Sequence, residues 1–271
     1  MNQFEWSTDD LDSGGNWDTR ILGSIATNLT QLRTWDQATK ELVQNADDAE
    51  ATEIIFSISD TGILVYNNRL MSYCELPKES YTSCNYEGKT KNDFCDVHAI
   101  KTLSSQNKKK NSEATGKFGI GFVSTFLFTD QPSIISGNLR MTFLPAENKI
   151  PVKLVSEHQD GTSLYLPWAT DPDSKIRLGL EKPAINLEQI PGIVSEIIAS
   201  CVRSFIFVRH LTSIKVSVNS KTQLHLLREK DEDEIVITDV LQAKSTSWLL
   251  LKSDSDSENK LAELRKSDRN F

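Results

Sequence analysis

The chain has 271 residues, 38% of them hydrophobic and 25% charged, with a net charge of −8, which allows one large core or two modest ones. The acidity argues against a sequence-independent grip on nucleic acid, which depends on Lys and Arg neutralising phosphates, so no direct nucleic-acid contact is expected. No apolar run approaches the ~20 residues of a membrane-spanning helix, and the acidic start Met1–Asp10 lacks the form of a secretory leader. No membrane contact is therefore expected, and the cytoplasm is the expected location.

Residues 1–17 read as a loose polar arm. From Asp18 onward, Ile21, Leu22, Ile25, Leu29 and Leu32 recur at three- and four-residue steps and predict a first helix. A turn around Thr34–Asp36 leads into a second helix from Gln37 to about Ala49, with Asp36 as its N-cap. On that helix Glu41 and Asn45 are four apart and share a face, and Asp48 and Ala49 continue the stripe. A carboxylate, an amide and another carboxylate on one face are odd for a core helix. A solvated face is the ordinary explanation, but here the stripe precedes a sheet and a glycine loop.

Glu53 to Tyr66 reads as strand, turn, strand, with Asp60-Thr61-Gly62 as the turn. The second strand runs into Asn67-Asn68, a polar pair at a strand end, where site residues often sit. Residues 72–113 are polar and irregular, and their basic stretch Ser104–Ser112 suits a mobile loop or a lid over phosphates. Gly116, Gly119 and Gly121 follow, ahead of an apolar run of helical length ending near Thr129. Glycine lets the backbone approach a ligand closely. A helix starting there directs unpaired N–H groups and the positive end of its dipole into the loop, so the stretch describes an anion site, most simply for phosphate.

Pro132–Leu144 predicts a hairpin turning at Gly137-Asn138, Val152–Val155 a strand, and Asp160-Gly161-Thr162 a turn into a strand ending at Pro167. Residues 168–185 read as a linker. A helix from Leu187 to Phe205 is expected to bury Ile193, Ile197, Ile198 and Val202. Ile214–Val218 and Leu224–Leu227 form a hairpin, followed by the acidic run Glu229–Glu234 and by strands at Ile235–Ile237 and Trp248–Leu251. Cys74, Cys84, Cys95 and Cys201 show no Cys-x-x-Cys spacing; Cys84, Cys95 and His98 could be imagined on zinc, but reduced thiols are the preferred reading.

Four motifs now stand in order: Glu41-x-x-x-Asn45-x-x-Asp48-Ala49, the strand-end pair Asn67-Asn68, Gly116-x-x-Gly119-x-Gly121, and Gly161-Thr162. In that order the chain resembles the ATP-binding domain of the GHKL superfamily (Hsp90, gyrase, histidine kinase, MutL). Trp35–Ala49 and Gly116–Phe122 look most like sacsin-type domains. The resemblance implies an α+β fold of the Bergerat type, a two-layer sandwich of a mixed, mostly antiparallel sheet with helices on one face. Its ATP-binding core would span residues 18–168, with a helix and β extension over 169–253 and a polar tail over 254–271.

The resemblance also implies roles. Glu41 would activate the attacking water, Asn45 would ligate Mg²⁺, Asp48 would brace that shell, and Ala49 would pack near the base. The loop Gly116, Lys117, Phe118, Gly119, Ile120, Gly121 and Phe122 would bind the phosphates, chiefly through backbone N–H groups from Gly119 to Phe122. Thr162 would bond the adenine side. One departure stands out. The adenine-binding aspartate of the family is matched by Asn68, 20 residues after Asp48, and its following glycine by Arg69, since Asp60 comes only 12 residues after Asp48. An amide loses the charge-assisted bond to adenine and can also donate, so adenine preference should weaken.

The implied activity is slow Mg²⁺-dependent ATP hydrolysis driving lid closure, with ATP or ADP as ligand. An ATP-dependent homodimer, or further domains of a larger chain with this one as its N-terminal module, would be the partners. A switch that binds nucleotide without hydrolysing it, serving an interaction or defence assembly, is the alternative; the retained Glu41 favours hydrolysis. A histidine kinase is disfavoured because His98, His158, His210 and His225 all follow the Glu41 helix.

Overall fold

The computed structural model describes residues 21–30, 34–75, 84–85, 95–101, 120–231 and 234–249. The expected arm, the basic stretch, Gly116 to Gly119 and the C-terminal tail lie outside the described residues.

Helix α1 (Ile21–Leu29) buries Ile21, Ile25 and Leu29, the stripe that its periodicity predicts. Helix α2 (Trp35–Asp48) begins one residue after Thr34, whose hydroxyl accepts from the Gln37 N–H at 3.3 Å. Thr34, and not Asp36, is therefore the N-cap. Asp36 lies in the first turn and pairs with Arg203, whose hydrogen bond holds its carboxyl below the ordinary value. The apolar side of α2 (Leu42, Val43, Ala46) enters one core with Ile54 and Phe56.

Strands β1 (Glu53–Ser59) and β2 (Gly62–Asn67) form the expected hairpin, closed by Asp60 and Thr61. Trp168 covers that turn, its indole N–H donating to the Ser59 carbonyl at 2.9 Å. A short helix α3 (Asp96–Lys101) and helix α4 (Ile120–Val123) follow, the latter passing into a 3₁₀ turn at Ser124–Leu127. The run after the glycines is thus shorter and tighter than a regular helix. Ser124 and Thr125 hydroxyls donate back to the Gly121 and Phe122 carbonyls at 2.6 and 2.7 Å, competing for acceptors that a longer α-helix would use.

Strand β3 (Ser133–Thr142) runs unbroken through the expected hairpin turn. Gly137 takes φ +58° and shifts the register against β4, so the glycine marks a bulge. Strand β4 (Val152–Pro167) likewise unites the two segments expected on either side of Asp160-Gly161. The stretch read as a linker contains helix α5 (Lys175–Leu180), a single short helix between prolines. It is held from inside. The buried Arg177 guanidinium pairs with Asp130 and donates to the Phe126 carbonyl at 2.6 Å, while the Ser174 hydroxyl donates to Asp130 at 2.6 Å.

Helix α6 (Ile190–Ser204) buries Ile193, Ile197 and Cys201, with Ser200 and Ser204 beside them. Val202, expected in its stripe, is exposed, and Ile198 is only partly buried. Strands β5 (Ser213–Val218), β6 (Lys221–Asp231), β7 (Glu234–Asp239) and β8 (Lys244–Leu249) complete the fold. The eight strands form one mixed sheet in the order β3-β4-β2-β1-β5-β6-β7-β8. Among the described residues only the β1–β5 pair is parallel, and the chain between them carries α3 to α6, while α1 and α2 precede β1.

Candidate functional site

Two places far apart in sequence meet at Gly121. A methyl built on its Cα would lie 2.9 Å from Asn45 Nδ2, 3.0 Å from Asn45 Oδ1 and 3.1 Å from Glu41 Oε2. No real side chain tolerates the first of these distances without displacement, so the α2 stripe and the end of the glycine loop form one surface. Gly121 is buried, and Glu41 and Asn45 are half-buried. Among the described residues, neither the Glu41 carboxylate nor the Asn45 amide makes a hydrogen bond or ion pair. Burial lifts the Glu41 carboxyl above its ordinary value of 4.5, and the negative charge of Asp48 adds to the shift while Lys40 opposes it. An open carboxylate with raised proton affinity beside an open amide can accept a proton and present hard oxygen donors to a cation.

The sheet supplies the second wall. Cross-strand register aligns Ser136, Thr162, Asn67, Ile54 and Ile214 in one row across β3, β4, β2, β1 and β5. The apolar end of that row is core. Its other end is polar and ordered: Thr162 donates to the Arg69 carbonyl at 2.6 Å and shares a 2.7 Å hydrogen bond with Ser136, which accepts from the Met71 N–H at 2.7 Å. Gly161, at φ +74°, lies so close that a Cβ would sit 2.3 Å from the Asn67 carbonyl oxygen. Both the left-handed backbone and the contact require glycine there.

Motif spacing points to Asn68, while the strand register sets its neighbour Asn67 in the Thr162 row. Alternation along β2 sets Ile63, Val65 and Asn67 on one face, and Asn67 directly opposes Thr162. Counting in twos from the buried Ile63 would have found it. Asn68 points the other way. It is exposed; its amide oxygen accepts from the Thr52 and Glu53 N–H groups at 3.0 and 3.3 Å, and its Nδ2 donates to Thr52 Oγ1 at 2.7 Å.

The remaining expected residues divide as follows. Asp48 accepts from Gln44 Nε2 at 3.1 Å and from Arg209 Nη2 at 2.8 Å. Ala49 is the exposed C-cap of α2. Ile120 opens α4, and Phe122 stacks on Phe143 with ring centroids 4.4 Å apart. Gly116, Lys117, Phe118 and Gly119 lie outside the described residues. Beside Asp48, Asp47 is buried and accepts from the backbone N–H groups of Arg209, His210 and Leu211 at 2.7–3.0 Å, fixing the end of α2 to the approach of β5.

A family model described as "Sacsin domain" matches residues 20–161, just over half of the chain. Human sacsin is 40% identical over 119 residues, which is 44% of this chain and 2% of that protein. The chaperone protein HtpG of Wigglesworthia glossinidia brevipalpis is 26% identical over 114 residues, 37% of this chain and 18% of its own length. Protein NO VEIN of Arabidopsis thaliana is 32% identical over 115 residues, 41% and 4%. The chain therefore spans under a fifth of each of these relatives. The resemblance drawn from the four motifs and the match to known proteins agree. Among the described residues no helix is long and apolar enough to cross a membrane.

Proposed function

Because the chain belongs to the sacsin domain family, we propose that it is the nucleotide-binding module of a larger Hsp90-like machine, which binds ATP with Mg²⁺ and hydrolyses it slowly to drive a conformational change. The observation that carries this reading is the meeting of Gly121 with Asn45 and Glu41. A cradle that a single methyl would fill, bordered by an amide oxygen and a carboxylate, suits a phosphate chain and its cation. The mixed sheet and its helices fit a two-layer Bergerat sandwich with its core over 18–168 and an extension over 169–253.

Each residue then has a task. The half-buried Glu41 carboxylate takes a proton from the attacking water, and its raised proton affinity strengthens it as a base. Asn45 presents its side-chain oxygen to Mg²⁺, which when bound would offset the phosphate charge. Asp48 holds the outer side of that shell. Backbone N–H groups of the loop ending at Phe122 hold the phosphates. Thr162 and Asn67, facing each other across β2 and β4, mark the adenine end, while Asn68 steadies the strand by gripping Thr52. ATP-dependent pairing of two copies and attachment to further domains follow from the same reading. None of the four cysteines is joined in a disulfide, which suits the cytoplasm.

The test separates binding from chemistry. Glu41→Ala should retain nucleotide affinity and lose phosphate release by about 10²–10⁴-fold. Equal phosphate release from wild type and variant would instead make the chain a switch without hydrolysis, and loss of affinity would remove Glu41 from the catalytic role.

A further inference from the structure

A second constellation lies apart from the Glu41–Gly121 site and owes nothing to it. Cys74, Cys84, Cys95 and His98 come from three stretches of chain, yet the candidate ligand atoms all lie within 4.8 Å of one another. Cys95 immediately precedes α3, and His98, three residues later, presents its ring from the first turn of that helix, so both face the same way. The Cys95 Sγ–His98 Nδ1 distance is 3.1 Å, Cys74 Sγ–His98 Nδ1 is 3.5 Å, and Cys84 Sγ–Cys95 Sγ is 3.9 Å.

These three separations lie near the edges of a coordination tetrahedron. With Zn–S about 2.3 Å and Zn–N about 2.0–2.1 Å, tetrahedral angles put sulfurs roughly 3.8 Å apart and sulfur and nitrogen roughly 3.5 Å apart. The Cys84 and Cys95 sulfurs are not joined in a disulfide. Cys74 and Cys95 are buried, and His98 is fully so. A core that needed only small apolar filling has no reason to converge three sulfurs and one imidazole nitrogen on a common centre. We propose that Cys74, Cys84, Cys95 and His98 form a closed four-ligand site for a structural zinc ion.

The surroundings brace such a site. Ser72, two residues before Cys74, donates to the Asp96 carboxylate from its N–H and its hydroxyl, each at 2.8 Å, and accepts from the Asp96 N–H at 3.0 Å. Asp96 stands between Cys95 and His98, so this clamp holds two of the three ligand-bearing stretches in register. Tyr73 donates to Asn138 Oδ1 at 2.7 Å, tying the same segment to the bulge in β3. All four positions are filled by protein, which leaves none for substrate and makes the ion's role mechanical. It would fasten α3 and the segment after β2 to the edge of the sheet, adding a covalent-like tie to the packing of Val97 and Ile100. The sequence offers three of these ligands, Cys84, Cys95 and His98, without a Cys-x-x-Cys turn to mark them, and the fold adds Cys74.

Metal analysis of the full 271-residue chain, purified without chelator, tests this directly, with cobalt reconstitution beside it. The expected result is about one zinc per chain, and a cobalt form with tetrahedral d–d absorption and thiolate-to-cobalt charge transfer. Cys95→Ser should lose the metal, while Cys201→Ser, which removes a buried cysteine of α6 outside the cluster, should keep it. His98→Cys adds a fourth thiolate and should retain zinc with stronger charge transfer, a result that core packing alone would not produce. If Cys95→Ser fails to fold, the wild-type zinc content and cobalt spectrum decide. Wild-type protein without zinc and without a tetrahedral cobalt spectrum, or carrying iron in its place, overturns the assignment. ATP hydrolysis does not enter the readout, so the two sites stand or fall separately.

Discussion

Helix α2 carries Glu41, Asn45, Asp47 and Asp48 within eight positions, and they behave as two different regions. Asp47, at its end, is saturated by the backbone N–H groups of residues 209–211, while Asp48 beside it accepts from Gln44 and a guanidinium through one oxygen. The side chains of Glu41 and Asn45, two turns and one turn earlier, have no hydrogen-bond partner among the described residues and face the Cα of Gly121. Saturation is what separates a carboxylate that builds the fold from one that can do chemistry. A fully satisfied group has no lone pair left for a ligand, whereas a half-buried open one bears a desolvation cost that a bound cation or proton relieves.

The sharpest way to break this contrast is Gly121→Ala. The added methyl must push Asn45 and Glu41 aside, so nucleotide affinity and phosphate release should fall together, the latter by about 10²-fold or more, with thermal stability changed little. An affinity equal to wild type in a titration would show that the two places do not share a ligand. Asp47→Ala should do the opposite. Losing the acceptor for three N–H groups, that of Leu211 buried, should cost about 2–3 kcal/mol in denaturant unfolding, while turnover per folded molecule stays near wild type.

A smaller effect sharpens the sheet side of the site. Asn67→Ala should shift ATP-over-GTP preference by about tenfold, roughly the worth of one hydrogen bond, whereas Asn68→Ala should act mainly on stability through Thr52. Nucleotide competition reversing that order would restore Asn68 as the base-reading residue. The mildest effect is on pH. With the Glu41 carboxyl raised in the folded state, its protonated form is favoured there, so that contribution to stability is present below 4.5 and is lost as pH rises through the raised value. Glu41→Gln should therefore melt slightly higher than wild type at neutral pH. The base must be ionised to work, so phosphate release should fall on acidification with an inflection above the ordinary glutamate range; an inflection at or below 4.5 would place Glu41 in water and not in the site.

Local pattern was sufficient wherever one face of one element carried the information. The stripe of α1, the β1–β2 turn and the Glu41–Asn45 spacing are all periodicities of a single helix or strand, and the order of four motifs pointed to the sacsin family. Glycine was legible as an exception but not as to its kind: Gly137 and Gly161 read as turns and are a bulge and a close approach within long strands, because only the neighbouring strand decides which.

What sequence determined about this protein by itself is therefore the set of chemical groups and their spacing along each element. Which of those groups stay open, which are saturated, and which converge was decided only by the tertiary structure. Asp47 meets the N–H groups of residues 209–211, Asn67 rather than Asn68 faces Thr162, and Cys74 joins Cys84, Cys95 and His98 through contacts between segments far apart in the chain. The physical reason is that hydrogen-bond satisfaction and metal coordination are properties of a surrounding shell, and no stretch of this chain supplies its own.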